Sequence, residues 1–244
     1  YQFGESGQLL MVTAPTDAVN PGALRYIYST LSGTDVQRLT QIRDVFGRAV
    51  DLTYKDPSSA NCPTAGGSSQ PAISMLCQVT YSGFTRNSTG AAPTTDLLYD
   101  TSGNLTAVIN PGDTATGAIR PRTDFAYASD GSGRVVGVRD ASTNDLVAAS
   151  VFTSANTPST DPHWWTVAYG SGATDAMVTQ LTAPVASSGA SRPQRSYSWG
   201  NASSYTGAVS ATRVAVAGSL NVSGWTQQVD IDRAGRPVQS VDQG

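Results

Sequence analysis

The sequence predicts an all-β fold, a row of antiparallel β-hairpins forming a curved repeat array, and three observations carry that prediction. The composition favours turns over helices. Of 244 residues, 24 are Gly and 13 are Pro, only 14% are charged, and Lys55 and Glu5 are the sole lysine and glutamate. Surface helices are normally built from Lys, Glu, Leu and Met. Short apolar alternations recur along the chain and often close on Pro or Asp. Beside them recurs a turn of the form Asp-x-x-Gly followed by Asn or Arg.

Taken in order, Phe3-Gly4-Glu5-Ser6-Gly7-Gln8 is the first turn, with Gly4 in the aspartate's place, and Leu9 to Pro15 is the strand it feeds. Tyr26-Ile27-Tyr28 is an aromatic pair two residues apart, which places both rings on one face of a strand. Leu39 to Asp44 is the next alternation, and Thr34 to Val45 reads better as strand than as helix. Asp44-Val45-Phe46-Gly47-Arg48 is the second turn. The clearest copy is Leu97 to Pro111. There Tyr99 is a good strand residue and Asp100 can cap the turn with its own side chain. Gly103 supplies positive φ, Asn104 follows, and Leu105, Ala107 and Ile109 then alternate with Thr106, Val108 and Asn110. Phe125-Ala126-Tyr127 is a second aromatic pair, Asp130-Gly131-Ser132-Gly133-Arg134 a further turn, and Val135 to Asp140 a further strand. Asn156 to Trp165 reads as an insertion. Val178 to Pro184, the pair Tyr197-Ser198-Trp199, the turn Asp232-Arg233-Ala234-Gly235-Arg236 and the strand Val238 to Asp242 complete the series. No segment has convincing helical periodicity, so no helix is expected.

With Val12, Ile42, Val108, Val138, Leu181 and Val241 as anchors, the alternations are separated by 30, 66, 30, 43 and 60 residues. Residues 1–244 thus read as one array with a quasi-period of about 30 residues, the mark of a repeat architecture rather than a closed enzyme fold. The chain opens as if within a strand and stops as if within a turn, which reads as a segment of a longer polypeptide. The Gly/Ser/Thr/Pro-rich stretches 16–22, 57–71, 87–93, 112–121 and 186–193 are surface loops.

A net charge of -3 and a pI near 5.0 carry no basic stripe of the kind nucleic acid requires. No apolar run approaches the ~18 residues of a membrane-spanning helix, so no membrane insertion by this segment is expected. Cys62 and Cys77 flank a Gly/Ser/Pro loop. The favoured reading is a disulfide that pinches the loop, which implies an oxidising compartment; the alternative is two free, partly buried thiols. His163, the single histidine, reads as a loop residue that packs or hydrogen-bonds beside Trp164 and Trp165. Paired carboxylates can hydrolyse glycosides, but Asp44, Asp100, Asp130 and Asp232 recur at turn positions, and a residue repeated in each unit is an architectural device. The Asp100 and Asp130 turns lack the ligand count of a calcium loop. No cofactor is expected. The sequons at Asn87, Asn104, Asn201 and Asn221 matter only in a eukaryotic secretory pathway.

The run Tyr99-Asp100-Thr101-Ser102-Gly103-Asn104-Leu105, with the Gly-Arg variants at Gly47-Arg48, Gly133-Arg134 and Gly235-Arg236, resembles the repeats of the Rhs/YD-repeat family. That family includes bacterial Rhs polymorphic toxins, the B and C components of insecticidal toxin complexes, and the teneurin extracellular region. Only the Tyr99 copy keeps both signature residues; elsewhere the tyrosine position holds Phe3, Arg43, Ser129 or Ile231. The resemblance implies a sheet of hairpins spiralling into a hollow shell. It also implies a non-enzymatic role as a secreted or cell-surface wall segment. The partners would be the remainder of its own longer chain and an enclosed toxin or other cargo. The rival expectation is an adhesin whose outer face binds a glycan or a cell-surface protein.

Overall fold

In the computed structural model of the chain, residues 1–13, 23–31, 33–57, 61–66, 68–83, 92–112, 120–153, 157–171, 177–185, 191–201, 212–218, 226–232 and 236–243 are described, with backbone alone for residues 200, 201, 212–218, 226, 228, 242 and 243. These residues form sixteen strands and one helix, and the strand order follows the sequence. The all-β hairpin array expected from the sequence is what the chain forms.

Two compact units divide at Asp124/Phe125. The first holds β1 (Gln2–Phe3), β2 (Leu9–Val12), β3 (Leu24–Thr30), β4 (Gln37–Arg43), β5 (Ala49–Tyr54), β6 (Leu76–Ser82), β7 (Thr94–Tyr99) and β8 (Leu105–Ile109). The division falls inside β9 (Arg122–Tyr127), whose first three residues pair with β8. The second unit holds the end of β9 with β10 (Val135–Arg139), β11 (Trp165–Tyr169), β12 (Val178–Thr182), β13 (Gln194–Asn201), β14 (Thr212–Gly218), β15 (Thr226–Ile231) and β16 (Pro237–Gln243). The ladders are antiparallel.

Among the described residues, every substantial contact between elements joins strands adjacent in sequence. Neither unit therefore stacks one sheet on another, and burial within each comes from side-chain contacts along a single layer. The tightest spot in the first unit gathers Cys62, Cys77 and Tyr99, with Met75, Leu97 and Leu105 against them. Leu98 and Ala107 are buried on neighbouring strands. Large apolar side chains such as Phe3, Phe46 and Val45 remain in solvent.

Six hairpins share an irregularity that the sequence did not announce. In each of the six the register slips by one residue at or near the end of the odd-numbered strand, so that the even-numbered strand carries one extra residue; the β13–β14 ladder runs without a slip. Phe3 faces Leu9 and Gln2 faces Met11, leaving Leu10 over. The same slip leaves Thr40 opposite β3, Cys77 opposite β5, Thr106 opposite β7, Thr179 opposite β11 and Val238 opposite β15. Such bulges sharpen local twist and re-aim side chains. Two of the bulged residues use their hydroxyls in the same way: Thr40 donates to the Ile27 carbonyl and Thr106 to the Leu98 carbonyl, both at 3.2 Å.

The expectation of no helix needs correction. Ala141–Ala148 forms α1, with Asp140 as its N-cap, the carboxylate accepting the Thr143 N–H at 2.8 Å. Two turns are too short to show a period, and Asp140, read as the close of a strand, is a helix start. The insertion after β10 accordingly begins at Asp140 and runs to Trp164, rather than spanning Asn156 to Trp165. No described helix is long and apolar enough to cross a membrane.

Candidate functional site

Three predicted turns are built alike. Between β7 and β8, the Gly103 N–H donates to the Asp100 carbonyl at 3.2 Å and the Asp100 N–H donates to the Asn104 carbonyl at 3.0 Å. This is the three-residue hairpin loop that ends in a left-handed residue, and Gly103 supplies it at φ 84°. One Asp100 oxygen accepts the Ser102 and Asn104 N–H groups at 2.9 Å, and the other accepts the Asn104 side-chain amide at 3.0 Å. Between β4 and β5, Asp44 repeats this with the Phe46 and Arg48 N–H groups at 2.9 Å and Arg48 Nε at 2.6 Å, around Gly47 at φ 82°. Asp232 takes the Arg236 N–H at 3.0 Å and Arg236 Nε at 2.8 Å; Gly235 lies outside the described residues. The residue after the glycine is Asn or Arg because either can reach back to the second carboxylate oxygen. The first copy keeps the backbone bonds, Gly4 N–H to Gln8 carbonyl at 2.8 Å and Gly7 N–H to Gly4 carbonyl at 3.0 Å, without a carboxylate.

The Asp130 turn is wider. Its closing bond runs from the Ala128 N–H to the Arg134 carbonyl at 2.8 Å, so Asp130 sits inside the loop rather than at its mouth. Asp130 still accepts the Ser132 N–H at 2.9 Å and pairs with the Arg134 guanidinium, while Gly131 and Gly133 are both left-handed. Desolvation opposes ionisation at Asp44 and Asp100. Hydrogen bonds from Arg48 and Asn104 respectively outweigh it and hold both carboxyls below the ordinary value. At Asp130, bonds from Ser132 and then Arg134 hold the carboxyl well below the usual range. These carboxylates are consumed by their own loops. Among the described residues, no three His, Cys, Asp or Glu side chains converge to hold a metal ion.

The aromatic position of the repeat is not where the turns suggested. Arg43 ends an even-numbered strand and Ser129 lies in a loop. The rings stand instead at or within two residues of the ends of the odd-numbered strands, at Tyr28, Tyr54, Tyr99, Tyr127, Tyr169 and Trp199, with Phe3 and Ile231 in the first and last. Four of them reach back to the preceding strand. Tyr54 Oη donates to the Leu39 carbonyl at 3.0 Å, Tyr99 Oη to Leu76 at 2.7 Å, Tyr169 Oη to Val135 at 2.9 Å, and Trp199 Nε1 to Val178 at 2.7 Å. Leu39, Leu76 and Val178 are the residues that face Tyr28, Tyr54 and Tyr169 across their bulges. Each ring therefore ties its own hairpin to the one before. No local motif marks Tyr54 or Tyr169, because long or irregular connections follow them instead of the glycine turn.

Cys62 and Cys77 are disulfide-bonded with Cα atoms 5.6 Å apart. Cys77 is the bulge residue opposite β5, the place threonine fills at Thr40 and Thr106. The bond draws the β5–β6 loop over Tyr99, whose carbonyl accepts the Ser69 N–H at 2.7 Å. Two Arg-Pro dipeptides form a further matched pair. Arg120 donates to the carbonyls of Thr94, Ile109 and Asn110 and pairs with Asp96. Arg192 donates to those of Trp164, Thr182 and Ala183. Each guanidinium gathers strand-end carbonyls at the connection before an odd-numbered strand, whereas the third Arg-Pro, Arg236-Pro237, precedes β16 and serves the Asp232 turn. Burial lowers the Arg192 pKa, with Asp161 opposing.

The insertion is anchored by a buried polar group. Asp161 accepts the His163 N–H at 2.9 Å, meets His163 Nδ1 at 2.8 Å and lies 3.6 Å from Arg139 Nη1. The Arg139 guanidinium sits 4.8 Å from the Trp164 ring centroid, and His163 stacks on Phe152 at 4.1 Å. Gly137 has no room for a side chain, since a Cβ there would stand 2.5 Å from Pro158 Cγ. Among the described residues the His163 ring hydrogen-bonds to Asp161 alone. Trp164 is 3% exposed and Trp165 43% exposed, so the two do not form a shared stacking face. Neither a protein-family model nor a curated protein matches this chain.

Proposed function

We propose that this chain is a non-enzymatic wall segment of a secreted YD-repeat shell that encloses or scaffolds cargo such as a toxin domain. The observation that carries the reading is the ladder of odd-strand rings, four of them bonded to the hairpin before (Tyr54, Tyr99, Tyr169 and Trp199). A closed domain buries its faces against a second layer. Here the described contacts between elements join sequence neighbours, the mode of construction that lets an array lengthen hairpin by hairpin. The Cys62–Cys77 bond supports an oxidising location. A sheet assembled this way can separate an interior from solvent without a catalytic centre of its own.

The test is protection. In the natural full-length polypeptide, segments outside the array would be compared for protease cleavage before and after mild acid or denaturant opens the sheet. An enclosed segment resists cleavage until the array melts. Cleavage of every flanking segment at the rate of the isolated segment would overturn containment and leave the adhesive reading, in which the outer face and loops contact a glycan or a surface protein.

A further inference from the structure

The β4–β5 turn carries a feature besides its aspartate. Beside it lies an open cleft of about 630 Å³ lined by Ala23, Arg25, Arg43, Asp44, Val45, Phe46 and Gly47. Arg25 on β3 and Arg43 on β4 are direct cross-strand partners. Opposed side chains in an antiparallel pair stand roughly 5 Å apart at Cβ, and like charges there destabilise the sheet. Among the described residues, neither guanidinium has an ion-pair or hydrogen-bond partner. Arg43 also stands directly before Asp44, where Tyr99 stands before Asp100. Among the described residues, two cations are thus held face to face without a neutralising partner, in a chain of net charge -3.

The rest of the cleft is complementary. Ala23, 2% exposed, forms an apolar floor. Phe46 is 82% exposed, with the Arg48 guanidinium 5.6 Å from its ring centroid. The one carboxylate present, Asp44, is already bonded to Arg48 and to two backbone N–H groups, so its charge is largely spent within the turn. Two guanidiniums able to share one oxyanion, set beside a solvent-facing aromatic ring, match a ligand with an acidic group on a flat ring.

We propose that this cleft binds an acidic saccharide, a sugar ring carrying a carboxylate or sulfate. Arg25 and Arg43 grip the oxyanion and Phe46 lies against the ring. The assignment stands whether or not the array encloses cargo.

The experiment is calorimetric titration and amide chemical-shift mapping of the protein. The probes are a glucuronate-containing disaccharide, a sulfated disaccharide, uncharged lactose, inorganic sulfate and adenosine monophosphate. The expected result is binding of the acidic disaccharides in the millimolar range or tighter, weakening as salt rises, with lactose silent. Arg25→Gln and Arg43→Gln should each weaken binding by about tenfold, the effect of one charge-assisted hydrogen bond. Phe46→Ala should weaken the disaccharides and leave sulfate unchanged. Arg38→Gln, elsewhere on β4, should leave binding unchanged. Both cleft arginine variants relieve a repulsion and should melt no lower than the parent, which keeps the test separate from misfolding. Undiminished binding in the Arg25→Gln/Arg43→Gln double variant overturns the proposal. So does sulfate or the nucleotide binding as well as the acidic sugars.

Discussion

Replacement of Gly103 isolates one energetic term. Its φ is 84°, and a Cβ built there would meet nothing within 4 Å. Any loss on substitution therefore comes from the left-handed backbone and not from a clash. For an ordinary L-residue that conformation costs about 1–2 kcal/mol; asparagine tolerates it better, and a β-branched residue tolerates it worst. Gly103→Ala should cost about 1 kcal/mol, Gly103→Asn less and Gly103→Val more, whereas Thr101→Val on the same exposed loop should stay within about 0.5 kcal/mol. Gly83 provides a control at φ 81°, where a Cβ would approach Arg48 Cα to 3.1 Å. Gly83→Ala should cost more than Gly103→Ala because strain and contact add. The assay is urea unfolding followed by far-UV circular dichroism. All four tryptophans lie beyond residue 124, so their fluorescence reports the second unit. Equal losses for Gly103→Asn and Gly103→Val, or for Gly103→Val and Thr101→Val, would refute the turn geometry.

Three further outcomes are expected. Tyr99→Phe removes a 2.7 Å bond to the Leu76 carbonyl from a ring only 7% exposed; it should cost about 1–2 kcal/mol in the same urea titration, and a neutral result would remove the rung from the account. Reduction of Cys62–Cys77, which closes 15 residues of separation, should lower stability by about 3 kcal/mol. Cys62→Ala/Cys77→Thr should recover part of that loss by restoring the bulge threonine, and no recovery relative to Cys62→Ala/Cys77→Ala would contradict the equivalence of Cys77 with Thr40 and Thr106. The folded-state pKa values of Asp44, Asp100 and Asp130 lie below their ordinary value. Their stabilisation is complete above the unfolded pKa of about 3.9 and is lost as pH falls toward the folded values. Urea midpoints should be flat from pH 7 to about 5 and fall below about 4. Asp100→Asn should shallow that fall, and an unchanged slope would count against its carboxylate.

The hairpin at Leu97 to Pro111 was legible because all of its signals are local. Tyr99 favours a strand, and the aspartate, glycine and asparagine lie within five consecutive positions, so one short window contains the whole turn. The rungs at Tyr54 and Tyr169 were not legible. Their acceptors, Leu39 and Val135, lie 15 and 34 residues away, and nothing beside the tyrosines in sequence identifies a partner across a strand. Registering the repeat on Asp-x-x-Gly therefore assigned the aromatic place to Arg43 and Ser129, which stand before turn aspartates without ending odd-numbered strands. The helix was hidden for a different reason. Asp140 is a good strand terminator and an equally good N-cap, and the eight residues that follow carry too little apolar contrast to decide between them. His163 was read correctly as a packed loop residue, but its principal partner, Asp161, and the buried Arg139 behind it become visible only once the insertion is folded against β10.

The distribution of these devices explains how a chain with few buried apolar residues can hold sixteen strands. A turn aspartate stabilises only its own hairpin, and the loss of one leaves its neighbours intact. A rung ring does something else: its ring belongs to one hairpin and its acceptor to the preceding one, so it couples neighbouring units, beside cross-hairpin bonds such as Gln41 to Asp51 and Gln78 to Asp96. In a nearest-neighbour array, cooperativity depends on that coupling term. The aromatics recur on the odd-numbered strands, while the turns vary from Gly4 to Asp130. Ile231, at the rung position of β15, has no side-chain donor to repeat the bond. The same logic permits the insertion between β10 and β11. It lengthens a connection without altering the rung, since Tyr169 at the far end of β11 still reaches the Val135 carbonyl at the start of β10.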